Sequence, residues 1–232
     1  ALPQFVGGTS PAAAERAAAL FAKIAPEVVV VAPREAEYAK LISNAWRYIQ
    51  FAATNQFYMM VEAEGIDYRT LVMKIKQRYP RMADFPTAGF AAGPCLMKDT
   101  MQLFAHRKHA FILGQVAMTI NEGLPDYLVS QLMHRTKISG RRVGILGMAF
   151  KAESDDMRDS LSYKLRKILE FQGAEVSCSD EYVQDDTFVS KDELIRCSEV
   201  IVVGVPHEAY RGVRPAPEQV VLDVWGVLTP AE

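Results

Sequence analysis

The sequence predicts an α/β protein in which a wholly helical segment separates two segments that contain strands. Short apolar strands alternate with helical periodicity at the beginning of the chain and again in its last part. Between these parts, apolar residues recur at the three-and-four spacing of amphipathic helices. We therefore divide the chain into residues 1–32, 33–136 and 137–232.

Composition and charge narrow the class of protein. The chain has 232 residues, 50% of them apolar, which is enough to bury more than one core. A formal net charge of −2, with the basic residues scattered, provides no electrostatic footprint for nucleic acid or for an anionic membrane. Small molecules or proteins are therefore the expected partners.

Cysteine usage and the lack of targeting patterns predict a cytoplasmic protein. The 3 cysteines are an odd number and lie far apart, which argues against a disulfide framework. No apolar run reaches the ~18 residues that a membrane-spanning helix needs, and no signal-peptide pattern is found. The 4 histidines stand at no familiar zinc spacing, so no metal site is predicted.

Residues 1–32 indicate a strand, a helix and a second strand. Ser10 and Pro11 stand where a helix would be capped and begun, and a valine run follows the alanine-rich helix. This order is typical of the last crossover of a parallel sheet. Because the first residues are strand-like and lack an initiator Met, we expect the earlier strands of that sheet to lie outside this sequence.

Residues 33–136 predict helices only. A long helix begins after Pro33 and has no internal Gly or Pro until Gly65, and a shorter one ends at Tyr79. After a loop that contains Cys95, another helix begins, and a last one runs from about residue 110 to 135. Pro125 is expected to kink or divide that last helix. The apolar face of the first helix is formed by Tyr38, Leu41, Ile42, Ala45 and Ile49.

Residues 137–232 predict a Rossmann-like parallel sheet, because apolar β-rich runs alternate with amphipathic helices. Ligands of such sheets bind beyond the carboxyl ends of the strands. Gly144 and Gly147 do not complete the Gly-x-Gly-x-x-Gly pattern of dinucleotide sites. We therefore expect side chains such as Lys151, rather than glycines, to hold a nucleotide there. The loops expected around one crevice begin near Phe150, Asp180, Pro206 and Trp225.

Cys95 is a candidate nucleophile. Only the thiolate attacks, and both a nearby cation and a helix N-terminus favour it. Lys98 follows one turn into the predicted helix, so both effects are available. Spacing alone leaves the alternative of a cysteine packed under a helix start. Cys178 and Cys197 fall in a strand and at a helix end, and are predicted to lie in the core.

Two polar clusters are weaker signals. Lys40 and Asn44 share one helical face, which offers a cation and an amide, although an ordinary solvated face has the same pattern. Lys151, Asp156 and Arg158 lie in a strand-to-helix loop, where a charged turn capped by Asp159 or Ser160 is the alternative.

Taken in order, these motifs resemble the UDP-glucose/GDP-mannose dehydrogenase family, the NAD-dependent nucleotide-sugar 6-dehydrogenases. The resemblance covers nearly the whole chain and depends on the order of motifs that are individually weak. It implies a helical dimerisation domain at 33–136 and a domain at 137–232 that binds the UDP or GDP of the sugar. It also implies that residues 1–32 end an NAD-binding Rossmann domain that is mostly missing, so that the chain alone would be inactive. The motifs are P-x-F-V-G-G at 3–8, E-x-A-K-L-x-x-N at 37–44, G-x-C-x-x-K-D at 93–99, N-x-x-x-P at 121–125 and F-K-x-x-x-D-D-x-R-x-S at 150–160.

The resemblance also implies roles for residues. Cys95 would capture the C6 aldehyde of the sugar, Lys40 and Asn44 would stabilise the oxyanion, and Asp99 would assist the water. Arg158 would reach the cofactor NAD, and Arg81 would cross a homodimer to the partner's substrate. The other substrate-binding residues it implies are Phe90, Gly93, Lys98, Phe150, Lys151 and Trp225.

Two departures from the family pattern keep a second interpretation open. Ala92 stands where the family has a glycine, so the loop before Cys95 has less conformational freedom. Trp225 stands where an arginine is frequent, and it can stack but cannot form a bidentate ion pair. The alternative is a non-catalytic module that binds nucleotide sugars or dimerises on the same scaffold. The identity of the nucleotide sugar stays open.

Overall fold

The structure is a computed structural model that describes residues 2–228, without the side chains of residues 107–109. Ala1 and residues 229–232, at the outer ends of the first and third predicted segments, lie outside the described residues, as does the side chain of His109. The first segment forms strand β1 (Gln4–Val6), helix α1 (Pro11–Phe21) and strand β2 (Val28–Val30). The two strands pair in parallel, and Ser10 caps α1 by accepting from the N–H of Ala13 at 3.2 Å.

The helical segment is built on one long helix. Helix α2 spans Pro33–Ala63 and α3 spans Tyr68–Arg78, followed by a short 3-10 turn at Pro80–Met82. Helix α4 (Leu96–Arg107) and helix α5 (Ile112–Arg135) both pack along α2. The buried core between these helices consists of Tyr48, Ala52, Ala91, Leu96 and Ala117. Its alanines permit close approach of the helices, and its other members are aromatic or aliphatic.

Helix α5 runs through Pro125 without being divided, so of the two predicted outcomes the division is wrong and the kink stays a prediction. Pro125 is itself buried, and Leu124 and Leu128 on either side of it are almost completely buried. A proline removes one backbone hydrogen bond from a helix. Burial of the flanking leucines on both turns favours one continuous helix in spite of that loss.

The third segment is a parallel four-stranded sheet, which confirms the predicted fold class. Strand β3 is Arg142–Leu146, β4 is Glu175–Ser179, β5 is Val200–Val203 and β6 is Val220–Leu222, in the order β4-β3-β5-β6. The chain moves from β3 to β4 on one side and returns to β5 on the other. A crevice is expected beyond the ends of β3 and β5, where that direction changes. The connecting helices are α6 (Leu161–Phe171) and α7 (Lys191–Cys197).

One core joins the helical segment to the parallel sheet. Leu124, Leu128 and Leu132 of α5 pack in the same buried cluster as Val143 of β3 and Leu165 of α6. Because interiors are close-packed, this shared core fixes how the loops of the sheet approach the cysteine loop.

Candidate active site

A cleft of about 460 Å³ lies between α2, the loop before α4 and the loop after β3. It contains most of the residues that the sequence predicted for the site. They come from three separate elements, so it is the fold that gathers them. The predicted residues that line this cleft are Lys40, Asn44, Phe90, Gly93, Cys95, Phe150, Lys151 and Arg158.

Asp99 organises the α2 side of the cleft. Its carboxylate accepts hydrogen bonds from Lys40 Nζ and from Asn44 Nδ2, each at 2.6 Å, although the residue is only 3% exposed. Burial alone would raise the pKa of this carboxyl, but the hydrogen bonds from Lys40 and Asn44 outweigh it and lower the pKa. Lys40 and Asn44 are therefore held by an ionised, buried partner and are not an ordinary solvated face.

Cys95 stands at the start of α4 and is exposed. Its carbonyl accepts from the N–H of Asp99 at 2.9 Å, which closes the first turn of the helix. The exposed position excludes the alternative of a sulfur packed under the helix start.

The other two cysteines differ from each other. Cys178 is buried, as predicted, and burial raises the pKa of its thiol to about 11. Cys197 is exposed, so its prediction as a core residue is wrong. It ends the short surface helix α7, whose buried contact is made by Leu194.

Alkylation should follow this division. Iodoacetamide is expected to label Cys95 and Cys197 in the folded chain and to leave Cys178 unmodified, since a buried, protonated thiol is a poor nucleophile. Cys95 is expected to react faster than Cys197, because it stands at the N-terminus of α4 in a cleft that Lys40, Lys151 and Arg158 also line, whereas Cys197 stands at the C-terminal end of α7. Peptide mapping over time measures the three rates. Equal rates at Cys95 and Cys197 would argue against an activated thiol.

The loop after β3 supplies the opposite wall. Lys151 Nζ lies 5.3 Å from the centre of the Phe150 ring. Arg158 donates to both carboxylate oxygens of Asp156, from Nε to Oδ1 at 3.0 Å and from Nη2 to Oδ2 at 2.7 Å. Those hydrogen bonds lower the pKa of Asp156 to about 2 and raise that of Arg158, with a smaller contribution from attraction to Cys95.

Of the two residues predicted as the cap of helix α6, Ser160 is the one that caps it, and Asp159 is not. The Ser160 hydroxyl accepts from the N–H of Ser162 and donates to the carbonyl of Ala149 at 2.9 Å. Asp159 instead has a positive φ of 54°.

The glycines of the cysteine loop are in close contact with aromatic rings. Gly93 has φ of 102°, and a Cβ on it would lie 2.6 Å from the Phe150 ring. The φ of Ala92 is not positive. Alanine therefore fits at position 92 without backbone strain, and of these two neighbouring positions only 93 requires glycine.

Trp225 packs against the same loop. Gly89 has φ of 146°, and a Cβ on it would lie 2.1 Å from the Trp225 ring. Asn55 holds both backbone groups of Gly89: its amide donates to the carbonyl at 3.0 Å, and its oxygen accepts from the N–H at 2.8 Å. Trp225 thus connects the end of the sheet to the loop that carries Cys95.

A second cavity of about 210 Å³ continues from the cleft to the ends of β3 and β5. Phe150, Pro206 and Trp225 line it, as predicted, and Lys151 lines both cavities. Asp180 does not line either cavity, which corrects its predicted place at the rim. Its side chain is buried below the loop after β3, and its Oδ2 accepts from the N–H groups of Met148 and Ala149 at 2.6 and 2.9 Å.

Two predicted site residues lie away from the cleft of their own chain. Lys98 is exposed and reaches the Asp99 carboxylate at 3.6 Å without lining the cleft. Arg81 lines a separate surface groove with Trp46 and Phe85. A role for Arg81 at the substrate therefore requires a second chain.

Arg47 and Phe51 line the cleft but were not predicted. They follow Lys40 and Asn44 along one stripe of α2, at intervals of three and four residues, and that periodicity could have identified them. The described lining of the cleft has four cations, Lys40, Arg47, Lys151 and Arg158, and one carboxylate, Asp156, and this excess of positive charge suits a ligand with several negative charges.

Two searches of the described residues gave negative results. No group of three or more His, Cys, Asp or Glu side chains is placed to hold a metal ion in the described part of the chain. Among residues 2–228, no helix combines the length and the apolar character needed to cross a bilayer.

Sequence models of one family match both parts of the chain that form the cleft. The central domain of the UDP-glucose/GDP-mannose dehydrogenase family matches residues 34–122, and the UDP binding domain of that family matches residues 144–230. Together they cover about three quarters of the chain. The chain therefore belongs to this family of nucleotide-sugar dehydrogenases.

Individual relatives agree with this assignment. UDP-N-acetyl-D-mannosamine dehydrogenase of Pyrococcus horikoshii is 26% identical over 216 residues, which are 90% of this chain and 51% of that protein. The enzyme of the same name from Methanocaldococcus jannaschii is 25% identical over 89% of this chain and 48% of its own length. The chain thus spans about half the length of these relatives.

Solved structures share the fold. The structure of the P. horikoshii UDP-D-ManNAc dehydrogenase superposes with a TM-score of 0.86 and 25% identity, over 98% of this chain and 57% of that one. A UDP-glucose dehydrogenase from Pyrobaculum islandicum gives a TM-score of 0.80 at 24% identity, over 97% of this chain and 55% of that one.

Proposed function

We propose that the chain carries the catalytic cysteine and the nucleotide-sugar site of an NAD-dependent UDP-sugar 6-dehydrogenase. The observation that carries this proposal is the meeting of Cys95, the Lys40–Asn44–Asp99 cluster and the Phe150–Lys151 loop in one cationic cleft. Residues 33–136 would act as the catalytic helical domain and residues 137–232 as the nucleotide domain. Residues 1–32 would end the domain that binds NAD.

The proposed chemistry converts the C6 alcohol of the sugar into a carboxylate. The alcohol loses a hydride and a proton to become an aldehyde, and the Cys95 thiolate adds to the aldehyde carbon to give a thiohemiacetal. Loss of a second hydride and a proton gives a thioester. Water then attacks the thioester carbon, releases the carboxylate and restores the thiol.

Lys40 and Asn44 would stabilise the oxygen anion that forms when sulfur or water adds to C6. Both already donate to Asp99, which fixes their direction before a ligand arrives. Because the pKa of Asp99 is lowered, we assign it chiefly to holding those two donors, and its help to the attacking water is the secondary part of the proposal.

NAD would accept the hydride in both oxidations. Arg158 lies at the cleft close to Cys95, where a guanidinium suits the pyrophosphate of the cofactor. The sequence has no Gly-x-Gly-x-x-Gly segment to hold the rest of it. We therefore expect the chain alone to form no NADH. Measurable NADH formation from a UDP-sugar and NAD would contradict this part of the proposal.

The proposed substrate is a UDP-N-acetylhexosamine, because the matched domain is described as UDP-binding and the two relatives described above are named for UDP-N-acetyl-D-mannosamine. A thermal-shift series with UDP-N-acetylmannosamine, UDP-glucose and GDP-mannose tests it. A ligand that binds only the folded chain raises its Tm, and the first of these is expected to raise it most. No shift with any of the three would overturn the proposal.

The same ligand should protect Cys95 from iodoacetamide and leave the labelling of Cys197 unchanged, which makes Cys197 an internal control. Lys151→Ala is expected to weaken the protection about tenfold, as loss of a charged contact to phosphate does. Lys167→Ala, an exposed lysine of α6, is the matched control.

A non-catalytic module that keeps the nucleotide site is the second candidate, favoured by the replacement of a family arginine with Trp225. A UDP-sugar C6 aldehyde labelled with ¹³C distinguishes the two. A catalytic Cys95 forms a thiohemiacetal whose carbon resonance disappears in Cys95→Ala. Absence of that resonance in a wild-type chain that binds the ligand would support the non-catalytic module.

We also propose that the chain forms a homodimer through α2. Ile42, Trp46 and Met60 are each more than half exposed on this helix, and Trp46 lines an apolar groove with Leu103 and Phe111. A second chain on this face would also bring its Arg81 to the interface, since Arg81 and Trp46 share one groove.

The charge-introducing test of this interface is Ile42→Glu, because Ile42 lines the same apolar groove as Trp46, Leu103 and Phe111, and none of the described residues that line it is a cation. Sedimentation is expected to show a dimer for the wild type and a monomer for the variant, because a carboxylate buried in that groove would have no partner. Phe171→Glu is the control, since Phe171 is 87% exposed at the end of α6. A wild-type monomer, or a variant that stays dimeric, would contradict the interface.

A further inference from the structure

A buried histidine lies below the loop that carries Phe150 and Lys151. His207 is completely buried between the rings of Tyr182 and Tyr210, at centroid distances of 4.9 and 5.3 Å. It lines neither cavity. The chemistry proposed above gives it no part.

The hydrogen bonds of His207 define its tautomer. Its Nδ1 accepts from the N–H of Glu153 at 3.1 Å, so this nitrogen carries no proton. The proton of the neutral ring is therefore on Nε2, which donates to Asp180 Oδ2 at 3.2 Å. His207 thus links Glu153, at the end of the Phe150–Lys151 loop, to Asp180, whose carboxylate holds the beginning of the same loop.

The loop between these two anchors is held by hydrogen bonds from several of its backbone N–H groups. Asp180 accepts from the N–H of Met148 and of Ala149, and the N–H of Phe150 donates to the Asp156 carbonyl at 2.9 Å. Glu153 closes the segment with a φ of 55°, an unfavourable conformation for a residue with a side chain. The hydrogen bond to His207 Nδ1 is the contact that holds its N–H in that conformation.

The position of this loop matters on both sides of the cleft. Phe150 packs directly on Gly93, two residues before Cys95, and Lys151 faces both cavities. The N–H of Gly93 also points to the carbonyl of Asp159 at 3.4 Å. A shift of the loop would therefore move the lysine and loosen the contact with the cysteine loop.

We propose that His207 is a positioning residue, which sets the affinity for the nucleotide sugar through the Glu153 N–H and the Phe150–Lys151 loop without touching the ligand. This rests on the proposed function for the nature of the ligand. The anchoring of the loop itself does not depend on any ligand.

Two substitutions separate the two hydrogen bonds of His207. His207→Asn places an amide oxygen near the position of Nδ1, so it keeps the acceptor for Glu153 and loses the donor to Asp180. His207→Gln reaches the position of Nε2, so it keeps the donor and loses the acceptor. His134→Gln, at an exposed histidine of α5, is the control for the substitution itself.

Amide hydrogen exchange of the ligand-free chain is the first measurement. We expect His207→Gln to lose protection at the Glu153 amide, while His207→Asn and His134→Gln keep it. Wild-type protection at Glu153 in His207→Gln would overturn the proposal, even if that variant had a lower Tm. This measurement decides the anchoring even if the wild type binds no UDP-sugar, a result that would overturn the proposed function alone.

Affinity for UDP-N-acetylmannosamine is the second measurement. His207→Gln is expected to raise the Kd about tenfold, and His207→Asn to leave it within about threefold, as the loss of one buried hydrogen bond predicts. In a Lys151→Ala background, the effect of His207→Gln should fall below about twofold, because the lysine that it positions is absent. An unchanged tenfold effect in that background would show that His207 acts by another route.

Discussion

Gly89→Ala is expected to destabilise the chain by about 4 kcal/mol, from backbone strain and overpacking together. The φ of 146° at this residue is unfavourable for alanine, and the new Cβ would lie 2.1 Å from the Trp225 ring. The backbone cannot move away, because Asn55 holds both its N–H and its carbonyl. Urea unfolding monitored by circular dichroism measures the change in the free energy of unfolding.

Gly123→Ala provides the matched control. A Cβ on Gly123 meets nothing within 4 Å, and its φ is not positive. Because this glycine lies inside α5, alanine is expected to be neutral or to stabilise the chain by up to about 1 kcal/mol. If Gly89→Ala cost no more than Gly123→Ala, the close contact between Trp225 and the cysteine loop would be wrong.

A double substitution separates strain from overpacking. Trp225→Ala removes the ring that the new Cβ meets, so its cost and the cost of Gly89→Ala should not add. The expected interaction free energy is about 2 kcal/mol, which is the part of the Gly89→Ala cost that comes from overpacking against Trp225. The part that comes from backbone strain is expected to remain in the double variant. If the costs of the two single substitutions simply added, the contact between Trp225 and Gly89 would be contradicted.

The periodicity of the sequence was sufficient for the fold class but not for every local consequence. Helical spacing after Pro33 and the alternation of strands and helices after residue 137 predicted the helical segment and the parallel sheet. The burial of Cys197 was predicted wrongly, because the face that a helix of one or two turns buries depends on its neighbours and not on its own pattern. The continuity of α5 through Pro125 has the same origin in tertiary packing.

The residue types at the site were predictable, whereas their contacts were not. Lys40 and Asp99 are 59 positions apart in the chain, and their hydrogen bond could not be inferred from the two motifs that contain them. The contact of Trp225 with Gly89 connects two segments that the sequence treats separately. Arg47 and Phe51 are different, since they continue the helical stripe of Lys40 and Asn44 and a fuller use of periodicity would have found them.

Asp180→Asn is expected to destabilise the chain by about 3 kcal/mol at pH 7, although the two side chains have the same shape. Asp180 Oδ2 accepts from the N–H of Met148, and Oδ1 accepts from the N–H of Tyr182 and of Val183 at 2.8 and 2.9 Å. Each oxygen thus faces backbone donors that cannot rotate. Either orientation of an asparagine amide would place its NH₂ group against such donors, and no flip relieves the conflict.

The dependence of this cost on pH has a definite sign. Burial alone would raise the pKa of Asp180, but the hydrogen bonds from His207 and the backbone N–H groups hold it well below its usual value. A carboxyl whose pKa is lowered by folding stabilises the chain fully above its unfolded value of about 4, and this contribution is lost as the pH falls toward the folded value. The contribution of the Asp180 carboxylate to the difference between wild type and Asp180→Asn should therefore be complete at pH 7 and shrink below about pH 4.

Urea unfolding at several pH values measures that difference, with the exposed Asp186→Asn as the control. Other carboxyls with lowered pKa values, such as Asp99 and Asp185, are present in both chains, so their acid dependence cancels in the comparison. The assignment of Asp180 as an ionised, hydrogen-bonded carboxylate below the Lys151 loop would be contradicted by either of two results. One is a destabilisation by Asp180→Asn that increases as the pH falls, and the other is a destabilisation no larger than that of Asp186→Asn. The expected result shows instead that the charge of Asp180 stabilises the loop that the nucleotide sugar is proposed to meet.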